Sequence, residues 1–128
     1  MSEHPNVAIL KRFDPENLSG SADVIAEDIV FHYFNPRLPD IQGDYVGLNG
    51  LKKFFARIAA ATNGSFIVTP VSVNAVGDEL LVVHSKNSMT LADERIETDV
   101  ALVWRIVDGR IAEVWDIPSV HTGCTSSV

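Results

Sequence analysis

Few residues of this 128-residue chain pair a reactive side chain with a setting that would make it useful, and Asp116 stands first among them. It closes the run Ile111-Ala112-Glu113-Val114-Trp115-Asp116, in which strand alternation puts it in step with Val114. A carboxyl held against apolar neighbours loses hydration, so its pKa rises toward the range where it can take and return a proton near neutral pH. Tyr33, at the end of another apolar run, is a neutral phenol able to donate to a carbonyl or a developing oxyanion. Ser85 and Asn87 alternate on one strand and offer donors and acceptors to a water or a ligand oxygen without a second buried charge. Metal chemistry finds little support: no His-x-His or His-x-x-x-His spacing occurs, and His121-Thr122-Gly123-Cys124 is a lone pair of ligand types in a Ser/Thr-rich tail. With no glycine-rich phosphate loop, no Gly-x-Ser-x-Gly elbow and no dinucleotide fingerprint, no cofactor is expected.

Ten Lys plus Arg against seventeen Asp plus Glu leave a formal charge of −7, which repels phosphate backbones and anionic lipid. Nucleic-acid and membrane roles are therefore not expected. The start, Met1-Ser2-Glu3-His4-Pro5-Asn6, lacks the basic and apolar regions of a signal peptide, and the one cysteine, Cys124, has no internal partner, so a cytoplasmic setting is expected. The length fits one domain, read as 1–118, followed by a flexible tail over 119–128.

The elements that must position these residues fall into two halves. Val7–Phe13 is expected to form a short helix, Asp14-Pro15-Glu16 the capped start of a second, and Ile29–Phe34 a strand stopped by Asn35-Pro36. Leu48, Leu51, Phe55 and Ile58 recur at three- and four-residue steps, marking an amphipathic helix over Leu48–Ala61 that Asn63-Gly64 terminates. Four strands then follow, Ser65–Val76, Leu80–Leu91, Ile96–Val107 and Arg110–Ile117, with Pro70 pointing to an edge or a bulge in the first. Helices first and an antiparallel meander after is an α+β layout in which the helices cover one face of a curved sheet.

Register decides which side chains lie under the helices. A two-residue turn at Asp93-Glu94 would pair Met89 with Thr98, Asn87 with Val100, Ser85 with Leu102 and Val83 with Trp104, all on the more apolar, inward face. His84 then faces outward, as does His32 in its own strand. The last hairpin leaves two registers open around Asp108-Gly109. A bulged one turns Ala112, Val114 and Asp116 inward, and a plain primed turn brings in Glu113 and Trp115 instead. The bulged register is preferred, because it sets one purposeful carboxyl beside an apolar wall and leaves Trp115 outward as an interface anchor. The expected pocket then comprises Asp116, Tyr33 and Asn87 as working groups. Ser85, Trp104, Phe31, Val100, Leu102, Met89, Val114 and Phe55 would bind the ligand. Whether Phe31, Phe54, Phe55 and Phe66 line this space or fill it is open at this level.

The order of these pieces resembles the SnoaL-like branch of the nuclear transport factor 2-like superfamily. The likeness rests on Asp28-Ile29-Val30-Phe31-His32 after a short helix, Gly43-Asp44-Tyr45-Val46-Gly47 before a helix, and Gly109-Arg110-Ile111-Ala112-Glu113-Val114-Trp115-Asp116 at the end, over roughly 7–118. It implies a cone-shaped α+β barrel with a cavity between sheet and helices, and a homodimer formed through the outer sheet face. It implies no single chemistry. Ketosteroid isomerases carry their catalytic aspartate near the position of Tyr33; epoxide hydrolases of the limonene type have an Arg-x-Asp pair where Ser85 and Asn87 stand; polyketide cyclases have a histidine near Leu102 or Trp104. The epoxide hydrolases and polyketide cyclases also carry an aspartate on the last strand, which Asp116 matches, and of all these acid/base groups only Asp116 is present. The resemblance thus implies a protein that binds a hydrophobic small molecule. It is either a cofactor-independent isomerase, cyclase or hydrolase acting on a carbonyl, cyclic or epoxide compound, or a non-catalytic carrier or dimeric interaction module.

Overall fold

A computed structural model describes residues 4–120. The His121-to-Cys124 segment and most of the expected tail lie outside the described residues. Helix α1 (Pro5–Lys11) leads through a turn to a 3-10 helix (Ser19–Val24), strand β1 (Ile25–Tyr33), a short β2 (Gly43–Val46) and the long α2 (Gly47–Thr62). Strands β3 (Ile67–Val76), β4 (Leu80–Leu91), β5 (Glu94–Val107) and β6 (Arg110–Pro118) complete one six-stranded sheet in the order β2-β1-β6-β5-β4-β3. The sheet is open, with β2 and β3 as its edges, and the helices lie on one face. All neighbours are antiparallel except β1 and β6, which run parallel.

Local chemistry accounts for most of these boundaries. Helix α2 buries Leu51, Phe54 and Ile58 in one stripe and ends where Asn63 turns left-handed at φ 52°. The second α-helix expected at Asp14 does not form. Asp14 instead accepts the Glu16 N–H in a local turn, and Ser21 lies inside the 3-10 helix, donating to the Asn17 carbonyl. Strand β3 is an edge strand, and its register shifts between Pro70 and Ser72, so the proline marks both an edge and a bulge.

Two turns set the faces of the sheet. The β4–β5 turn is Ala92-Asp93, both at positive φ (49° and 65°), not Asp93-Glu94, and every cross-strand pair moves by two residues. Asn87 faces Thr98, Ser85 faces Val100 and Val83 faces Leu102. A shift of two preserves side-chain parity, so the inward set survives. At the β5–β6 turn, Asp108 and Gly109 (φ 53° and 76°) form the plain two-residue turn, and Val107 pairs with Arg110. That turn alone would have brought Glu113 and Trp115 inward. The ladder slips between Arg105 and Ile106, with Ala112 as the extra residue, so that Trp104 pairs with Val114 and Leu102 with Asp116. The expected bulge exists, but two residues beyond the turn, and Ala112 sits in it, half-buried, rather than on the inward wall.

On the outer face, His32 bridges Asp44 (2.8 Å) and Glu113 (2.6 Å) and stacks on Trp115, over which the Arg105 guanidinium also lies. On the inner face, the Phe54 ring packs against Phe31, Tyr33, Tyr45 and Phe55 at centroid separations of 4.6 to 5.3 Å. This cluster joins α2 to β1 and β2, and Phe54 is almost wholly buried. Truncating Phe54→Ala should cost about 3 to 5 kcal/mol of stability, seen as a lower urea midpoint, whereas the same change at the exposed Phe34 should leave the midpoint nearly unmoved.

Candidate functional site

Five adjacent strands contribute to a single cavity of about 420 Å³ under the helices, which requires the sheet to curve around it. Its wall is almost entirely apolar. Phe31, Phe55, Leu102, Trp104 and Val114 line it, together with Asn87 and Asp116. Phe54 and Phe66 line it too, leaving an open space rather than a filled one. Sequence reasoning missed Phe13, Ile29 and Val73 as wall residues; the Val7-Leu10-Phe13 spacing on one helical face was the available signal for the first. Lys11 lies at the same cavity from α1.

Asp116 is the one carboxyl among the residues that line this space. The carboxyl is 7% exposed, and no hydrogen bond or ion pair from the described residues reaches it. Loss of hydration with nothing to offset it pushes its pKa up to about 7. Backbone pairing places it on a rung running from Tyr33 in β1 through Asp116 to Leu102 in β5 and Val83 in β4. The neighbouring rung is Phe31, Val114, Trp104 and Leu81. Apolar groups therefore flank the carboxyl across the strands at Leu102 and along β6 at Val114.

The structure separates the expected partners from this centre. Tyr33 is inward and next to Asp116, but its ring packs against Phe54 and it borders a second, shallower recess that Asp116 also reaches, rather than the main cavity. The Tyr33 hydroxyl accepts from the Asn35 amide at 3.0 Å. Burial, reinforced by the nearby Asp116 charge, outweighs that bond and pushes its pKa up to about 12, so it stays a neutral phenol. Ser85 and Asn87 do not flank Asp116. They sit two strands away, with Asn87 four residues along, on the order of 15 Å between backbones in a flat sheet and less in a concave one. Ser85 is fully buried and donates to Asn87 Oδ1 at 3.0 Å, and Asn87 itself lines the cavity. Met89 and Val100 are buried on the same face without reaching the cavity surface.

The remaining titratable candidates lie elsewhere. His84 bonds Asp99 on the outer face, where that hydrogen bond holds the Asp99 carboxyl below its usual range. Burial pulls the His32 pKa down, but its hydrogen bonds to Glu113 and Asp44 outweigh this and leave it raised. No group of three His, Cys, Asp or Glu among the described residues is arranged to hold a metal, and no described helix is long and apolar enough to cross a membrane.

This geometry, a curved α+β sheet with a helix-covered apolar cavity, is that of the nuclear transport factor 2-like, or ketosteroid isomerase-like, fold. The SnoaL-like domain model matches residues 7–114, and the chain belongs to that family. A similar structure is an NTF2-like protein from Burkholderia pseudomallei, with a TM-score of 0.74, 19% identity, and coverage of 93% of this chain and 92% of that one. TerC co-crystallised with polyporic acid gives 0.75, 19% identity, and coverage of 90% and 92%. A ketosteroid isomerase-like protein from Catenulispora acidiphila in complex with trimethylamine gives 0.67, 14% identity, and coverage of 84% and 82%. No curated protein matches the sequence.

Because folded Asp116 binds its proton more tightly than the unfolded chain does, stability falls as pH rises from 3.8 through about 7 and then levels. Asp116→Asn removes that decline. The variant should be more stable than the parent at pH 8 by an amount on the order of 4 kcal/mol, with the gap closing toward pH 4. Urea unfolding of both proteins across this range checks it, and a gap that does not change with pH would contradict the desolvated carboxyl.

Proposed function

We propose that this protein binds an apolar, oxygen-bearing small molecule in the cavity and that Asp116 moves a proton on it without a cofactor. The observation that carries this reading is a single unpartnered carboxyl in an apolar cavity, with its pKa pushed up to about 7. Such a group is half ionised near neutral pH and can serve as base and then as acid within one turnover. The reaction class that needs no more is proton transfer beside a carbonyl. Asp116 takes a proton from the carbon, the bonding pair passes into the carbonyl as an enolate, and the protonated carboxyl returns the proton to another carbon or after ring closure. Isomerisation and cyclisation both balance in this way. Hydrolysis fits less well, because the positions where relatives hold a water-activating Arg-x-Asp pair are occupied by Ser85 and Asn87.

In this reading Asn87, aimed by Ser85, holds a polar group at the far end of the ligand, and Tyr33 keeps a neutral phenol beside Asp116. The structures with polyporic acid and with trimethylamine lend support, since relatives of the same fold take small organic molecules. A non-catalytic carrier is the second reading, favoured by the distance that separates Asn87 from Asp116. The proposed setting is a cytoplasmic homodimer. Support for the dimer comes from the outward Trp115 and from Ile67, Val76 and Ile117, exposed apolar residues of parity opposite to the cavity wall.

Two outcomes are expected. The protein should accelerate deuterium incorporation at the α-carbon of an apolar ketone such as 2-tetralone in heavy water, with a rate that rises with pH and levels above about 7. Asp116→Asn should lose at least about 10²-fold of it, whereas a carrier would bind the ketone with no exchange in either form. Light scattering should give twice the chain mass, and Trp115→Glu should give the monomer.

A further inference from the structure

Three strands meet at His32 on the outer face of the sheet. Its Nδ1 lies 2.8 Å from Asp44 Oδ1 in β2 and its Nε2 lies 2.6 Å from Glu113 Oε2 in β6, while the ring stacks on Trp115 at 5.4 Å. Backbone pairing accounts for the meeting. His32 is opposite Asp44 in one ladder and opposite Trp115 in the other, and Glu113 precedes Trp115 by two residues on the same face. A carboxylate only accepts, and a neutral imidazole has a single N–H. Both contacts are therefore hydrogen bonds only while the ring carries two protons. The charges that face this cluster from other elements are two. Arg105 of β5 lies over Trp115 at 5.6 Å and holds its Nε 3.8 Å from Glu113 Oε1, and Glu79 of the β3–β4 turn accepts from Arg105 Nη1 at 3.0 Å.

The two carboxylates are not equally placed. Glu113 is 31% exposed, stands on an interior strand and has Arg105 as a second partner. Asp44 is 65% exposed and stands on a four-residue edge strand, with His32 as its one partner among the described residues. When the ring loses a proton, one contact becomes a nitrogen lone pair facing a carboxylate oxygen. Asp44, the more exposed and singly held, is the one that can withdraw into water. Strand β2 and the residue before it supply Gln42, Gly43 and Asp44 to the shallow recess that Tyr33, Trp115 and Asp116 also line. We propose that His32 is a proton-operated clip that fastens edge strand β2 to β6 across β1, and that its deprotonation frees β2 to move off this recess. Burial lowers the pKa of the ring, but the hydrogen bonds and charges of Glu113 and Asp44 outweigh it and leave it raised above 6.5. The folded chain thus holds this proton more tightly than the unfolded one. The clip is complete at acid pH and is lost as pH rises through the raised value.

A clip that needs no second proton can be built for comparison. In Asp44→Asn a neutral ring can donate through Nε2 to Glu113 and accept through Nδ1 from the introduced amide. Imidazole nitrogen NMR signals report the protons on His32, and amide exchange with water, divided by the intrinsic rate at each pH, reports β2. Both are followed from about pH 5 to 9, at two protein concentrations so that a change of association is seen separately. The wild-type ring should be doubly protonated at the acid end and titrate above the usual histidine range. As it does, the β2 amides that bond β1 should lose about 10-fold of their protection, while the β4–β5 ladder keeps its own. Asp44→Asn should lower the pH at which His32 titrates and hold β2 protection constant across the range. A wild-type ring already neutral at about pH 6, or β2 protection that stays constant while the ring titrates, would overturn the proposal. So would an Asp44→Asn variant whose β2 loses protection with pH as the wild type does. No ligand enters these measurements, so their outcome is independent of the chemistry proposed for Asp116.

Discussion

One extra residue in the last strand decides the character of this molecule. The Asp108-Gly109 turn, left to propagate regularly, would direct Glu113 and Trp115 under the helices and leave Val114 and Asp116 in water. The slip at Ala112 reverses that parity within two residues of the turn. With Val114 and Asp116 inward, the parallel contact to β1 sets Tyr33 beside the carboxyl and Phe31 beside Val114, and the outer face receives Glu113, which His32 then bridges to Asp44. The cavity floor and the polar cluster behind it are two faces of one register.

Desolvation follows from that register. A carboxylate among Leu102, Val114 and Phe31 loses most of its hydration, and no described residue offers it a donor in exchange, so its pKa is pushed up to about 7. The phenyl cluster around Phe54 enforces the dryness by closing α2 onto β1 and β2 and by standing between Tyr33 and the cavity. Of the polar groups at the cavity, Asn87 and Asp116 are held apart on β4 and β6, and Lys11 lies at it from α1. Such an arrangement suits a ligand held at several points better than a cluster of groups acting on a single water.

Much of this was legible in the residues. The boundaries of β3 to β6 followed from alternation and turn chemistry, the Leu48–Ala61 periodicity lies inside α2, and Pro70 announced both its edge and its bulge, whereas β1 begins at Ile25, four residues before the expected Ile29. The SnoaL-like resemblance added the fold, which the family match and the similar structures share. What was not legible depended on tertiary context. Strand β2 is four residues long and needs β1 as a template; the parallel β1–β6 contact leaves no local signature; and Ala92 in a left-handed turn runs against the preference of an alanine. The two-residue error at that turn kept every face correct yet misplaced Ser85 and Asn87 by one rung, which is why their expected place beside Asp116 failed. Energetic facts such as the buried Trp104 Nε1, without a hydrogen-bond partner among the described residues, depend on three-dimensional neighbours and have no counterpart in spacing.

The balance between an enzyme and a carrier turns on what a buried carboxyl costs. A carrier of neutral apolar ligands gains nothing from ionisation at position 116, since asparagine would offer a donor and an acceptor of nearly the same shape with no charge to desolvate. The aspartate makes the folded protein less stable above neutral pH than that alternative, while granting one property the amide lacks, the ability to exchange a proton in the pH range where the protein works. Unlike a structural ion pair, it has no partner whose removal would explain its presence. On the proposed reading the use of such a group is chemistry on a bound molecule, to which the Asn87 amide on the same wall can offer a hydrogen bond.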